Sequence, residues 1–415
     1  MAELQKKTKY ICNLLLIVSF AGLLCLTCCN TPITDKKGYA FYENRALALL
    51  PTYSDTNFWN GQYFSDWETY LKDHVAGRDF MLEKYAYINR NVLKKPVVGD
   101  VLLSNDGKKL LPATDFRQPD VEEIDAKAEE MSSRLSVLNE LVSSYGGKFL
   151  YVGVPEQKVY FEQLYPSYMD PQAEASQLRQ DVFFNSLKEH DISFLDMGQV
   201  FERMGHPDWI YSSTDHHYSY YGAYHTYQAI MDTINQERET PLYVLTPSEL
   251  EFQTLPNPFL GSRNRKDFGQ FENEDALVIG VPKQDIPFRR YNRGTEDEPS
   301  LYDIPENPED WVTYDCYNGG NRTECIIDTD RPELPTLLMF GDSFTNPLET
   351  LLYTGFDKSI YVDLREIKYL NQGILGYVEQ YHPDYVICVR DSGYYLDLTG
   401  NGVIGYEPPA EAAQQ

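Results

Sequence analysis

Five short apolar runs, alternating with stretches of helical periodicity, constrain this chain more than any other feature. The runs are Phe149-Leu-Tyr-Val-Gly-Val154, Ile192-Ser-Phe-Leu-Asp196, Thr336-Leu-Leu-Met-Phe340, Ser359-Ile-Tyr-Val-Asp363 and Tyr385-Val-Ile-Cys-Val389. Runs of this length with little polar alternation suit strands buried on both faces. Between and before them, apolar residues recur at helical spacing: Ile124, Met131, Leu135, Leu138 and Val142, then Ala223, Tyr227, Ile230 and Ile234. Asp120 and Glu123 have capping-box spacing, and Gly146 is a fitting stop. Further helices are predicted from about Ala175 to His190 and after Pro347. Strand–helix alternation of this kind predicts a three-layer α/β domain with a mostly parallel five-stranded sheet.

The rest of the chain departs from that rhythm. Lys6, Lys7 and Lys9 precede an uncharged stretch, Ile11 to Cys29. Residues 1–29 therefore read as a signal peptide or signal anchor, with the bulk of the chain outside the cytoplasm. Leu26-Thr27-Cys28-Cys29 resembles a lipoprotein cleavage box with Cys29 as the lipidated residue. Lipoprotein, uncleaved anchor and plain secretion all stay open. Residues 30–113 form a mixed N-terminal segment expected to pack on the core. Within it, Asp100 to Leu111 reads as a hairpin around Asn105-Asp106-Gly107. The α/β pattern occupies 114–240 and 334–400. Residues 241–333, rich in Pro and acids, read as an irregular, partly β insertion, and 401–415 as a tail.

Charge narrows the function. Asp plus Glu number 63 against 36 Lys plus Arg, a formal net charge of -27. No nucleic-acid partner is expected, because phosphate binding needs a basic face. Loss of residues 1–28 would remove three Lys and one Glu, so the working domain is more acidic still. Such a domain should repel polyanions and favour neutral or partly cationic partners. The 33 Tyr suit wet, partly exposed surfaces, having an apolar face and a polar tip. Cys316 and Cys325 flank a turn-forming segment and predict a local disulfide in an oxidising compartment, or else two free thiols. No Cys/His spacing outside the signal suggests a metal site, and no cofactor is expected.

Two constellations carry possible chemistry. Gly341-Asp342-Ser343-Phe344 directly follows the run 336–340, which puts Ser343 at the carboxyl end of a strand. Ligands bind there in open α/β sheets. Asn346 is a fitting N-cap and Pro347 a fitting first helical residue. The same four residues also make an ordinary turn. A serine nucleophile needs a base. Among seven His, only the pair in Thr214-Asp215-His216-His217-Tyr218-Ser219 combines a nearby acid with a loop inside the α/β pattern. Asp215 and His217, two apart in extended backbone, point to one side.

Together these segments resemble the bacterial DHHW-motif proteins, which are similar to the AlgX/AlgJ-type SGNH-hydrolase-like proteins of exopolysaccharide O-acetylation. Supporting segments are Glu43-Asn-Arg-Ala-Leu47, Tyr70 to Asp79, Val154-Pro-Glu-Gln-Lys158 and Pro383-Asp-Tyr-Val-Ile387. The resemblance implies the permuted order, Asp-His block before Ser block, and a triad of Ser343 as nucleophile, His217 as base and Asp215 as orienting acid. Tyr218 stands where the name motif has Trp. Oxyanion and binding candidates are the Ser343 N–H, Asn346, Tyr218, Arg365 and Lys158. The implied activity is transfer of an acetyl group from a membrane acyl donor protein of the MBOAT type to a polysaccharide hydroxyl. Two alternatives are a carbohydrate O-acetyl esterase and a non-catalytic polysaccharide-binding or assembly protein.

Overall fold

The computed structural model describes residues 2–30 and 38–405, with the side chains of 2–5, 23, 24, 26–30 and 366 excepted. The chain divides into two compact units. One comprises residues up to Gly99 together with Arg265–Phe271, and the other Asp100–Asn264 together with Glu272 onward.

The first unit is helical. It begins with α1 (Ala2–Asn30), whose described side chains from Lys6 to Gly22 are exposed. Among the described residues no helix is long and apolar enough to cross a membrane, and the Cys29 side chain lies outside them. Helices α2 (Gln62–His74) and α3 (Arg78–Tyr87) are joined through Gly77, whose φ of 74° suits a residue without Cβ. The Arg45 guanidinium grips the buried Asp73 carboxylate with two bonds of 2.9 and 2.6 Å. That bond holds Asp73 well below the ordinary carboxylate range, against the upward push of burial. Residues from the insertion complete this unit, since Asp267 accepts from Arg90 Nε at 3.0 Å.

The second unit carries the predicted α/β pattern. The hairpin forms as expected from β1 (Val101–Leu103) and β2 (Leu110–Pro112), antiparallel around Gly107 at φ 72°. Helix α4 (Val121–Ser144) is capped by Asp120, which accepts from Glu123 N, and it buries Ile124, Ala128, Met131, Leu135, Leu138 and Val142. The chain continues through β3 (Lys148–Val154), α5 (Ala173–Glu189), β4 (Phe194–Asp196) and α6 (Tyr220–Gln236). Ser219 caps α6 by accepting from Gly222 N. The insertion supplies β5 (Leu250–Thr254), β6 (Val278–Pro282), β7 (Arg289–Asn292), β8 (Thr295–Asp297) and β9 (Glu324–Asp328). Then come β10 (Leu337–Gly341), α7 (Thr345–Leu352), β11 (Lys358–Val362), α8 (Ile374–Tyr381) and β12 (Tyr385–Asp391).

The main sheet runs in the order β8-β7-β9-β11-β10-β12-β3-β4. The five predicted strands, β11-β10-β12-β3-β4, are all parallel. The insertion is more regular than expected, because β9, β7 and β8 extend the same sheet as antiparallel neighbours. Arg289-Arg-Tyr-Asn292 has no apolar run to announce it, and its pairing comes from backbone bonds to β9. Helices α4, α5 and α8 cover one face, burying Leu135, Phe183 and Val378 with the strand residues Leu338, Ile360 and Val386.

Candidate active site

The parallel strands β10, β12 and β3 end side by side, and their carboxyl ends hold the site. Ser343 follows β10 by two residues. Gly341 has φ 155°, and a Cβ there would lie 1.9 Å from Val389 O, so only glycine lets β10 approach β12 at this turn. Asp342 fixes the turn. Its Oδ2 accepts from Asp391 N at 2.7 Å and its Oδ1 from Phe344 N at 3.1 Å. Burial pushes Asp342 and Asp391 above the ordinary carboxylate range, and the charge of Asp342 adds to the push on Asp391.

Helix α7 begins two residues earlier than the sequence suggests. Phe344 occupies the cap position, and Asn346 and Pro347 lie in the first turn. Asn346 is therefore not the N-cap. Asp342 instead takes the Phe344 N–H on its carboxylate at 3.1 Å and the Thr345 N–H on its carbonyl at 3.0 Å. Pro347 costs nothing in a first turn, where its missing N–H has no helical partner.

The histidine block lies on a loop closed by a bridge between Tyr211 and Tyr218, with Ser212 N donating to His217 O. The loop's inside is filled by hydrogen bonds. Asp275 accepts from Ser212 Oγ, Thr214 N and Thr214 Oγ1 at 2.5 to 2.9 Å. Gln157 Nε2 donates to Ser212 O and Asp215 O, both at 2.8 Å.

On this loop His217 Nδ1 lies 2.6 Å from Asp215 Oδ1, and His217 Nε2 lies 2.6 Å from Ser343 Oγ. The carboxylate can only accept, so the ring proton sits on Nδ1 and Nε2 is left to accept from Ser343. The ring is held flat by Tyr314, stacked at 3.6 Å and 6°, and by Phe344 at 5.1 Å. Asp215 is 1% exposed. Burial alone would raise its pKa, but the charge and hydrogen bond of His217 and the Ser262 N–H hold it well below the ordinary range. Ser343 itself is partly exposed, as a group meeting substrate must be.

The other sequence candidates have different places. Tyr218 is 1% exposed and its hydroxyl donates to Phe344 O, so it clamps the histidine loop to the serine helix and offers no face to a sugar. The name motif's Trp has no hydroxyl for that bond. Asn346 is buried beside the site, with Nδ2 3.3 Å from Asn321 Oδ1. Lys158 is paired to Glu156 at 2.9 Å on the wall of a cleft of roughly 880 Å³ that also includes Ser392 and Tyr394. Arg365 is spent on Asp363, at 2.9 Å from Nε and 2.7 Å from Nη2. The expected disulfide does not form, because Cys316 and Cys325 are separate buried thiols. Cys325 is locked in β9 opposite Tyr361, while Cys316 ends a tight turn at 314–316. Burial pushes their thiols up, to about 12 for Cys316 and about 11 for Cys325.

Four site residues escaped sequence reading. Ser262, in the insertion, donates its N–H to Asp215 Oδ2 at 2.6 Å, and its Oγ lies 2.7 Å from His216 Nδ1. Gly261 lets it approach, since a Cβ there would lie 2.4 Å from the Thr214 backbone. Arg263 Nε donates to Gln157 Oε1 at 2.7 Å and so braces the residue that braces the loop. Gln157 falls in one of the resembling segments, which is the one sequence signal any of them carried. Asp215, His216 and His217 also bring three donor atoms within 4.8 Å, a geometry that could hold a metal ion. Both ring nitrogens of His217 are already engaged by Asp215 and Ser343.

Residues 110–261 match the family described as the SGNH hydrolase-like domain of acetyltransferase AlgX. The match includes Asp215 and His217 and stops before Ser343. No curated protein matches the chain. Among solved structures, Bacillus cereus PatB1 with a sulfonyl adduct shares 19% identity over 71% of this chain and 94% of that one, with a TM-score of 0.57. A DHHW family protein from Eubacterium siraeum DSM 15702 shares 18% identity over 72% of this chain and 93% of that one, with a TM-score of 0.53. The family match bears out the resemblance seen in the sequence, and the two structures bear out the SGNH-like α/β fold.

Proposed function

We propose that the protein is an extracytoplasmic, serine-dependent O-acetyltransferase acting on a cell-envelope or secreted polysaccharide. The observation that carries this reading is the unbroken chain from Asp215 through His217 to Ser343, with both links at 2.6 Å. In the first half-reaction Ser343 Oγ attacks the carbonyl of an acetyl ester while His217 Nε2 takes the hydroxyl proton. Asp215 stabilises the imidazolium that results. The Ser343 N–H is the first donor to the oxyanion, and the Asn346 amide the second candidate. The imidazolium then returns the proton to the departing alcohol oxygen, leaving acetyl-Ser343. A sugar hydroxyl, deprotonated by His217, attacks that ester; the Oγ–acyl bond breaks, the imidazolium returns the proton to Ser343 Oγ, and the sugar leaves acetylated. The AlgX-type family match supports acetyl transfer. The donor is read as a membrane protein of the MBOAT type and the N-terminal segment as the route to the envelope.

The test is made with purified protein and p-nitrophenyl acetate, with and without oligosaccharide. Ser343→Ala should lower p-nitrophenol release by on the order of 10⁴-fold. Phenylmethanesulfonyl fluoride should label Ser343, seen by peptide mass spectrometry. Retained activity in Ser343→Ala rejects the assignment. Free acetate with no acetylated sugar, in the presence of a bound oligosaccharide, turns the reading to the esterase.

A further inference from the structure

The two legs of the histidine loop, 211–213 and 218–221, also form one side of a second pocket, of roughly 360 Å³. Pockets that hold a small ligand start near this size, at about 300 Å³. At its rim Trp209 is 46% exposed and Tyr221 39% exposed, with ring centroids 6.2 Å apart. Both rings are open to a ligand at the mouth of the cavity. Inside the pocket Lys109 is only 7% exposed. Its ammonium makes one long hydrogen bond, 3.5 Å to Asp208 O, and lies 4.6 Å over the Phe161 ring. An ammonium has three donors, so this buried cation has capacity to spare. The Tyr314 hydroxyl is also buried and finds no hydrogen-bond partner among the described residues. Tyr314 lines this pocket while its ring stacks on His217.

The lining chemistry selects the ligand. Asp275 takes four donors from 212–214 on its Oδ2, and with Asp208 it offsets the charge of Lys109. A full anion gains little there, whereas a neutral group that accepts hydrogen bonds gains much. We propose that this pocket is a glycosyl subsite for one neutral sugar unit of the acceptor, its ring lying on Trp209 and a hydroxyl or acetamido oxygen accepting from Lys109 Nζ. The role as an acceptor subsite rests on the acetyl-transfer reading, while sugar binding itself does not.

The full-length Ser343→Ala protein is titrated by calorimetry with chitohexaose, cellohexaose, laminarihexaose and mannohexaose, and with hexagalacturonate as the anionic probe. At least one neutral hexamer should bind. Trp209→Ala, made on an exposed side chain, should weaken that binding tenfold or more without shifting the melting temperature. Lys109→Met should weaken it similarly. The proposal is overturned if no neutral hexamer binds, if only hexagalacturonate binds, or if Trp209→Ala binds as its parent does. Binding in a protein whose Ser343 resists sulfonyl fluoride keeps the subsite and removes the transfer reading. A reactive Ser343 with no saccharide bound does the reverse.

Discussion

Asp215 spends both carboxylate oxygens on fixed donors: one on the backbone and ring of His217, the other on the Ser262 N–H. Three donors aimed at one buried carboxylate define a charged acceptor and leave no room for a neutral amide. Asp215→Asn would place an NH₂ group against either an N–H of His217 or that of Ser262. If it faces His217, the ring must turn its tautomer over and Nε2 can no longer accept from Ser343. Hydrolysis of p-nitrophenyl acetate should then fall by about 10⁴-fold with the fold intact by circular dichroism. A loss below tenfold would show that His217 is oriented by its stacking on Tyr314 and Phe344 alone. At this scale Ser343, His217 and Asp215 could be singled out because the resemblance joins two segments, 214–219 and 341–344, that say little apart. Ser262 was not, since a serine whose contribution is a backbone N–H leaves no mark on the choice of side chain.

Helix α7 carries a different kind of constraint. Glu349 on this helix is buried, accepting from Asn318 Nδ2 and, at 3.2 Å, from Thr345 Oγ1. Burial outweighs those bonds and the Arg290 charge, raising its pKa from 4.5 to about 7. An acid raised in the folded state holds a proton that the unfolded chain has already lost. Glu349 therefore withdraws stability as pH rises from about 4.5 through 7, by about 3 kcal/mol in all. Urea unfolding at pH 5 and pH 8 should show Glu349→Gln gaining on the parent at the higher pH. Parallel pH profiles for the two proteins would refute this. The elements themselves were readable wherever burial repeats at a fixed period, as in α4, α6 and the five parallel strands. The strands β7 and β8 were not, because Arg289-Arg-Tyr-Asn292 buries an arginine in place of an apolar run and Thr295-Glu-Asp297 at the sheet's edge is exposed throughout. Tyrosine was misjudged for a related reason. Among the described residues fifteen tyrosines are buried, and several close backbone carbonyls in the interior, as Tyr224 does with Leu245 O and Tyr317 with Val278 O. Composition counts a hydroxyl as polar and cannot show that a carbonyl waits for it.

Over the whole molecule the net charge of -27 sets a long-range field. That field acts on any charged acceptor before contact and is weakened by salt. Hexagalacturonate should therefore bind more weakly at about 20 mM than at about 200 mM salt, while a neutral hexamer should be indifferent to salt. Tighter binding of the polyuronate at low salt, without divalent cations, would contradict this. The two ends of the main sheet have a consequence of their own. Each edge strand is three residues long, and β8 presents Thr295, Glu296 and Asp297 fully to solvent. Open edges recruit strands from other chains and seed aggregates. Here an incoming strand would find few unpaired backbone groups and would meet two carboxylates, which on a second copy of this chain repel their own kind. The sheet is thus closed to templated growth by brevity and like charge, and even at high local concentration the largest structural element does not act as a seed.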